Sequence, residues 1–182
     1  MFRQVQLLHC IRQSNDGGET TFSDGFAVAT KLREYFPETF DILTKTKTHF
    51  WNYANDAGKA LHVDAKNPIT VNEKGELVKI AFSTYVNDSH RHLNAEQQQR
   101  FTRAAHQFLS LVESKEFCIK FKIKEGEIVF FDNQRVMHGR EQYEVTEPRF
   151  LEGGYLDWDQ LRGMVRYLKR DIFENKLNEI DF

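Results

Sequence analysis

Two cysteines and three prolines are all that the 182 residues contain of either type. Cys10 and Cys118 form no CxxC pair, and each sits within an apolar, strand-like pattern. A disulfide scaffold and a cysteine-built zinc site are thereby excluded, and two buried free thiols in a reducing compartment are expected. Long apolar runs are missing too. None approaches the roughly 20 residues that a membrane-spanning helix needs, so no membrane partner is expected. Positive charge is not in excess: 25 Lys and Arg against 27 Asp and Glu leave a net charge of −2. A phosphate-binding surface requires clustered basic residues, so a nucleic-acid partner is not expected either. A charged and apolar leader with a cleavage region is also absent before Val5. A cytoplasmic rather than a mitochondrial location is therefore expected.

Phenylalanine, by contrast, is abundant, with 16 copies. That number points to a core assembled from aromatic rings. Residues 1–182 read as a single domain with no internal repeat, low-complexity tract or linker. Val5 to Gln13 reads as a strand, and Ser14-Asn15-Asp16-Gly17-Gly18 as a turn whose glycines can take positive φ. Ser23 or Asp24 caps a helix over about Gly25 to Phe36, and Pro37 stops it and opens a second, shorter one. Thr46 to Tyr53 is strand-like, and Asn55 to Gly58 is a turn. Asn72-Glu73-Lys74-Gly75 joins two strands in a hairpin. Asn94 caps a helix over Ala95 to Ser114 with Phe101, Ala104, Ala105, Phe108, Leu111 and Val112 along one stripe. Further strands follow at Phe117 to Ile123, at Glu127 to Phe131, at His138 and from Arg149 to Tyr155. A last helix runs from Asp157 or Asp159 to about Lys176, with Leu161, Met164, Val165, Leu168 and Ile172 on one face. That face suits either the chain's own sheet or the interface of a homodimer.

The strands are short, bounded by turns, and do not alternate one by one with helices. A doubly wound parallel sheet is thus disfavoured. The fold class expected is mainly β with helical insertions (α+β), an antiparallel jelly roll, or double-stranded β-helix, with helices packed outside.

The chemistry concentrates after Ile128. An apolar run stops at Asp132-Asn133, and a short strand then carries His138-Gly139. Histidine is one of the ligands of non-haem Fe(II), where two His and one carboxylate leave positions open for a chelating cosubstrate. A dicarboxylate held at one end by the metal needs a charged, bidentate donor at the other, which Arg149 offers. Each residue also has a plain reading: His138 as a hydrogen-bonded histidine at a barrel mouth, Arg149 as a surface cation.

Three runs narrow the choice. Val5-Gln6-Leu7-Leu8-His9-Cys10-Ile11, then Phe131-Asp132-Asn133 through Arg135 to His138-Gly139-Arg140, then Arg149 to Tyr155 with Asp157-Trp158-Asp159, resemble the γ-butyrobetaine dioxygenase-like members of the taurine-dioxygenase-like Fe(II)/2-oxoglutarate oxygenase family. The resemblance covers nearly the whole chain, in order. It implies that His138 is an iron ligand and that Arg149 pairs with the 2-oxoglutarate carboxylate. It also implies that Thr20, in Gly17-Gly18-Glu19-Thr20, touches that cosubstrate and that Leu8 lines the same pocket. Tyr155 would be one wall of an aromatic cage for a trimethylammonium group, and Ser83 stands where an asparagine meets the substrate. The implied cofactors are Fe(II) and 2-oxoglutarate, with ascorbate as reductant. The implied reaction, in the complete protein, is hydroxylation of γ-butyrobetaine to L-carnitine; a trimethyllysine oxygenase or a non-catalytic jelly-roll remnant serving as a binding or scaffold protein are the alternatives. The resemblance places the other two iron ligands in a His-x-Asp pair shortly before the Val5 strand. On this expectation the jelly roll is N-terminally truncated and the chain supplies one ligand. Gln134 stands where the family often has a tryptophan.

Overall fold

The computed structural model describes residues 4–54, 60–84, 90, 92–143 and 148–178. The turn expected at Asn55 to Gly58 and most of the polar loop from Val86 lie outside them. Strand β1 (Val5–Arg12) is followed by β2 (Thr20–Asp24), α1 (Gly25–Tyr35) and α2 (Pro37–Lys45). Then come β3 (Thr48–Ala54), β4 (Ala60–Lys66), β5 (Ile69–Val71), β6 (Leu77–Ile80) and α3 (Ala95–Val112). The chain continues with β7 (Cys118–Phe121), β8 (Ile128–Asp132), β9 (Val136–Arg140), β10 (Phe150–Leu156) and α4 (Trp158–Asn178).

Two antiparallel sheets, in the orders β10-β1-β8 and β7-β2-β9, are accompanied by the hairpins β3-β4 and β5-β6. Consecutive strands go to opposite sheets: β1 to one and β2 to the other, then β7, β8, β9 and β10 in alternation. That is the winding of the expected jelly roll. Residues opposed across an antiparallel ladder share a face. Gln6 lies opposite both Phe131 and Tyr155, and Leu8 opposite Val129 and Gly153. Phe131 stacks on Phe22 of the other sheet, ring centres 4.8 Å apart. The face bearing Gln6, Leu8, Phe131 and Tyr155 is therefore the interior one.

The helices form the second body of packing. Val28, Ala29, Leu32, Leu43, Phe101, Ala104 and Phe108 close a core against Ile69 and Ile80 of the β5-β6 hairpin. The ends of these helices follow from the chain itself. Asp24 accepts from the amides of Phe26 and Ala27 and so caps α1. Asn94 and Gln97 form a reciprocal capping box on α3. Gly25 is required by proximity, since a Cβ there would lie 2.7 Å from the Arg135 carbonyl and 2.9 Å from Ile80. Its amide donates to that same carbonyl at 2.9 Å, and the Ile80 amide donates to the Gln134 carbonyl at 2.7 Å. The β8-β9 turn, just ahead of His138, is thus tied to the helical core.

Two expectations need adjustment. Cys10 is buried, but Cys118 is only half-buried, because its strand lies at the edge of its sheet. On α4, Met164, Val165 and Leu168 are exposed rather than packed on the chain's own sheet. Among the described residues, no helix is long and apolar enough to cross a membrane.

Candidate functional site

The β2-β9 ladder sets the first half of the site. Phe22 lies opposite His138 and Thr20 opposite Arg140. Thr20 and His138 are therefore diagonal neighbours on the interior face, a backbone spacing of roughly 7–8 Å with the side-chain origins somewhat closer. Thr20 is 3% exposed. The His138 ring packs on Phe131 at 4.8 Å and meets the edge of Phe22 at 6.5 Å, while the residue keeps one side open to solvent. That burial against rings pushes its pKa below the usual imidazole value, and a hydrogen bond with the Val136 backbone opposes the shift. A neutral imidazole is the form that binds metals.

The second half is built where the turn after β1 meets the segment leading to β10. Gly17 and Gly18 take φ of 64° and 72°, a left-handed conformation that glycine adopts without a side-chain clash. The Gly18 amide donates to the Gln142 carbonyl at 3.1 Å. A Cβ on Gly18 would sit 2.9 Å from Ser14 Oγ and 3.3 Å from Arg149 Nε. Into this space Arg149 donates through Nε to Gln13 Oε1 at 2.9 Å and through Nη2 to the Gly18 carbonyl at 3.4 Å. Its guanidinium lies 5.7 Å from the centre of the Tyr143 ring, which Arg140 also covers at 4.3 Å. Burial, and then the Arg140 charge, lower the pKa of Arg149 from its ordinary value. Among the described residues no carboxylate forms an ion pair with Arg149. The result is a half-buried cation whose charge is not neutralised by them.

Register places the other expected residues. Leu8 and Tyr155 lie on the interior face of the β10-β1-β8 sheet, the face that bears Phe131. Tyr155 is half-open to solvent. Ser83 lies beyond the end of β6 and belongs to neither sheet. Gln13 and Tyr143 were not singled out from sequence, although both touch Arg149. The position of Gln13, at the end of a strand and before a glycine turn, is the local trace of its role.

The donors do not complete an iron site. Among the described residues no group of three His, Cys, Asp or Glu could hold a metal ion. One His-x-Asp triplet, which the expectation of a single ligand passes over, does occur at His62-Val63-Asp64. It lies on β4, in the two-stranded β3-β4 sheet rather than in either sheet of the jelly roll. His90 and His92 differ from freely solvated loop histidines: the His90 ring packs on Phe101 at 4.5 Å, and His92 on His49 at 4.6 Å. The residues present thus fit an anionic cosubstrate better than they fit a facial triad.

An antiparallel double sheet with a histidine and a half-buried arginine at its open end defines a class, and comparison identifies it. The family model described as taurine catabolism dioxygenase TauD, TfdA family matches residues 2–155, and the chain belongs to that family. Among curated relatives, human γ-butyrobetaine dioxygenase is 37% identical over 170 residues, covering 92% of this chain and 44% of that protein. The Pseudomonas sp. (strain AK-1) γ-butyrobetaine dioxygenase is 28% identical, covering 91% and 43%. Human mitochondrial trimethyllysine dioxygenase is 30% identical, covering 90% and 39%. The chain thus spans less than half the length of these relatives. AAD-2 in complex with Mn(II) and N-oxalylglycine superposes with a TM-score of 0.65 at 14% identity, over 85% of this chain and 63% of that one. An asparagine oxygenase in complex with Fe(II), 2S,3S-3-hydroxyasparagine and succinate gives 0.63 at 14%, over 89% and 48%. These likenesses are of fold, the jelly roll of the TauD-like dioxygenases.

Proposed function

We propose that this chain is the part of an Fe(II)- and 2-oxoglutarate-dependent dioxygenase that grips the cosubstrate and contributes one histidine to the metal. The observation that carries the reading is Arg149, a half-buried guanidinium held by neutral acceptors and unpaired with any described carboxylate. A carboxylate arriving there gains a charge-assisted, bidentate contact in a partly desolvated place. Thr20, buried on the neighbouring strand end, would add a hydroxyl, and Leu8 an apolar wall. His138 would be the iron ligand this chain provides. Tyr155 would present its ring to a trimethylammonium group, an attraction of about 2 kcal/mol when the cation is desolvated, and Ser83 would lie toward the same substrate.

On this reading the complete protein hydroxylates γ-butyrobetaine to L-carnitine, with 2-oxoglutarate as cosubstrate and ascorbate as reductant. Trimethyllysine is the second reading, because Ser83 and Gln134 depart from the pattern of the butyrobetaine enzymes. A homodimer formed through the exposed stripe of α4 and a cytoplasmic location belong to the same proposal.

The test is titration of the 182-residue chain with 2-oxoglutarate, followed calorimetrically, beside Arg149→Met. Loss of a charged hydrogen-bond pair should weaken binding about 10- to 100-fold. Equal affinity in the two proteins would overturn the cosubstrate assignment. The same chain with Fe(II) should form little succinate; robust Fe(II)-dependent succinate formation would overturn the single-ligand reading.

A further inference from the structure

We infer that Gln13 is the positioning residue that aims Arg149, and that its neutrality keeps the guanidinium charge available to an incoming carboxylate; this second clause rests on the proposed function. The geometry fixes the Gln13 amide from both ends. Its Nε2 donates to the Ile123 carbonyl at 2.8 Å, so the oxygen must be the atom facing Arg149. That Oε1 accepts from Arg149 Nε at 2.9 Å and from the Ser14 amide at 3.1 Å. The Gln13 backbone N–H donates to Glu125 Oε1 at 3.1 Å, which fastens the strand end to the β7-β8 connection.

Arg149 is thereby held through Nε and one Nη2 contact, with the remaining N–H groups of the fork free of any described partner. A glutamate in the place of Gln13 would supply a similar acceptor at a similar reach, although it gives up the donation to the Ile123 carbonyl. It would also neutralise the cation before a ligand arrived. A Gln therefore performs two tasks that Glu cannot combine: it fixes the direction of the fork and leaves its charge unspent. Arg140, over the same Tyr143 ring, raises the local positive potential further. Nothing in this arrangement depends on the metal.

Four chains decide it: wild type, Gln13→Leu, Gln13→Glu and Arg149→Met. The Arg149 Nε–H resonance is assigned through its loss in Arg149→Met. In wild type this proton should exchange slowly with water, and in Gln13→Leu at least ten-fold faster. In Gln13→Glu, which retains length and acceptor and serves where the leucine variant fails to fold, it should stay protected. 2-Oxoglutarate should bind Gln13→Glu about ten-fold more weakly than wild type although the fork is held. Unchanged Nε–H exchange in Gln13→Leu would overturn the positioning role. Undiminished 2-oxoglutarate affinity in Gln13→Glu would overturn the charge argument. If wild type and Arg149→Met bind 2-oxoglutarate alike, the cosubstrate reading fails, while the exchange measurement still decides what Gln13 does to Arg149.

Discussion

On the helical side Val28, Leu32, Leu43 and Phe108 are fully buried, whereas on the strand side Ile119, Phe130 and Tyr155 keep 62%, 61% and 46% of their surface exposed. The two regions share a chain but not a degree of closure. The helices, with the β5-β6 hairpin, form a finished apolar core. The two three-stranded sheets meet through the Phe22, Phe131 and His138 rings and stay open around them. A closed core resists unfolding; an open sandwich leaves room for a ligand. The polar groups of the site are aimed from the open region, while the β8-β9 turn ahead of His138 is anchored in the closed one through the Gly25–Arg135 and Ile80–Gln134 hydrogen bonds.

The sharpest way to break the comparison is at Phe108. Truncation to alanine empties the centre of the closed core and should cost about 3–5 kcal/mol, a large share of the 5–15 kcal/mol typical of a domain. Urea unfolding of the purified variant measures it. The same truncation at Phe130, exposed on the outer face of the open sheet, should cost far less. Equal losses at the two positions would show that the outer face of this sheet is covered after all.

Gly18 comes next, because it belongs to both accounts. A Gly18→Ala chain must hold a left-handed φ with a side chain, at roughly 1–2 kcal/mol, and its Cβ must displace Ser14 Oγ or Arg149 Nε. Stability should fall by that modest amount, while 2-oxoglutarate affinity falls further than the stability change explains, because the arginine moves. A variant that loses stability and keeps full affinity would separate the glycine turn from the site.

Much of the closed region was legible in the sequence. The cap at Asp24, the capping box at Asn94 and the Phe101-Ala104-Phe108 stripe are local patterns, and the helices stand where those patterns put them. The Asn72–Gly75 turn was equally readable, with Gly75 at φ 76°. The open region is different in kind. Gln13 and Arg149 are 136 positions apart, and only the β1-β10 register brings them together. Arg140 and Tyr143 acquire meaning through the pairing of β2 with β9, which sets Arg140 opposite Thr20 and carries the chain past the Gly17-Gly18 turn. His138 and Arg149 were found from sequence because a family pattern names them, not because spacing alone distinguishes a ligand from a packed histidine. Cys118 shows the converse: its alternating strand pattern suggested burial, but a strand at a sheet edge leaves one side unpaired.

The smallest effect lies at the join of the two regions, where Asp24 both caps α1 and accepts from Arg135 Nε at 3.0 Å and Nη2 at 2.6 Å. The hydrogen bond with Arg135 chiefly, and the Phe26 and Ala27 amides in support, hold the Asp24 carboxyl below its ordinary pKa. A depressed carboxylate stabilises the fold fully above its unfolded pKa of about 3.9 and ceases to do so as pH falls through its lower folded value. Asparagine caps a helix as well as aspartate but cannot titrate. Asp24→Asn should therefore differ from wild type at neutral pH by less than about 1 kcal/mol, since both partners of the ion pair are substantially exposed. The difference should shrink as the pH drops into the acid range and vanish once Asp24 is protonated in the folded state. Melting curves of the two proteins between pH 7 and the acid limit measure this. A gap that stays constant with pH would mean that Arg135 contributes nothing through charge, and that the join between the regions is held by the helix cap and the backbone bonds alone.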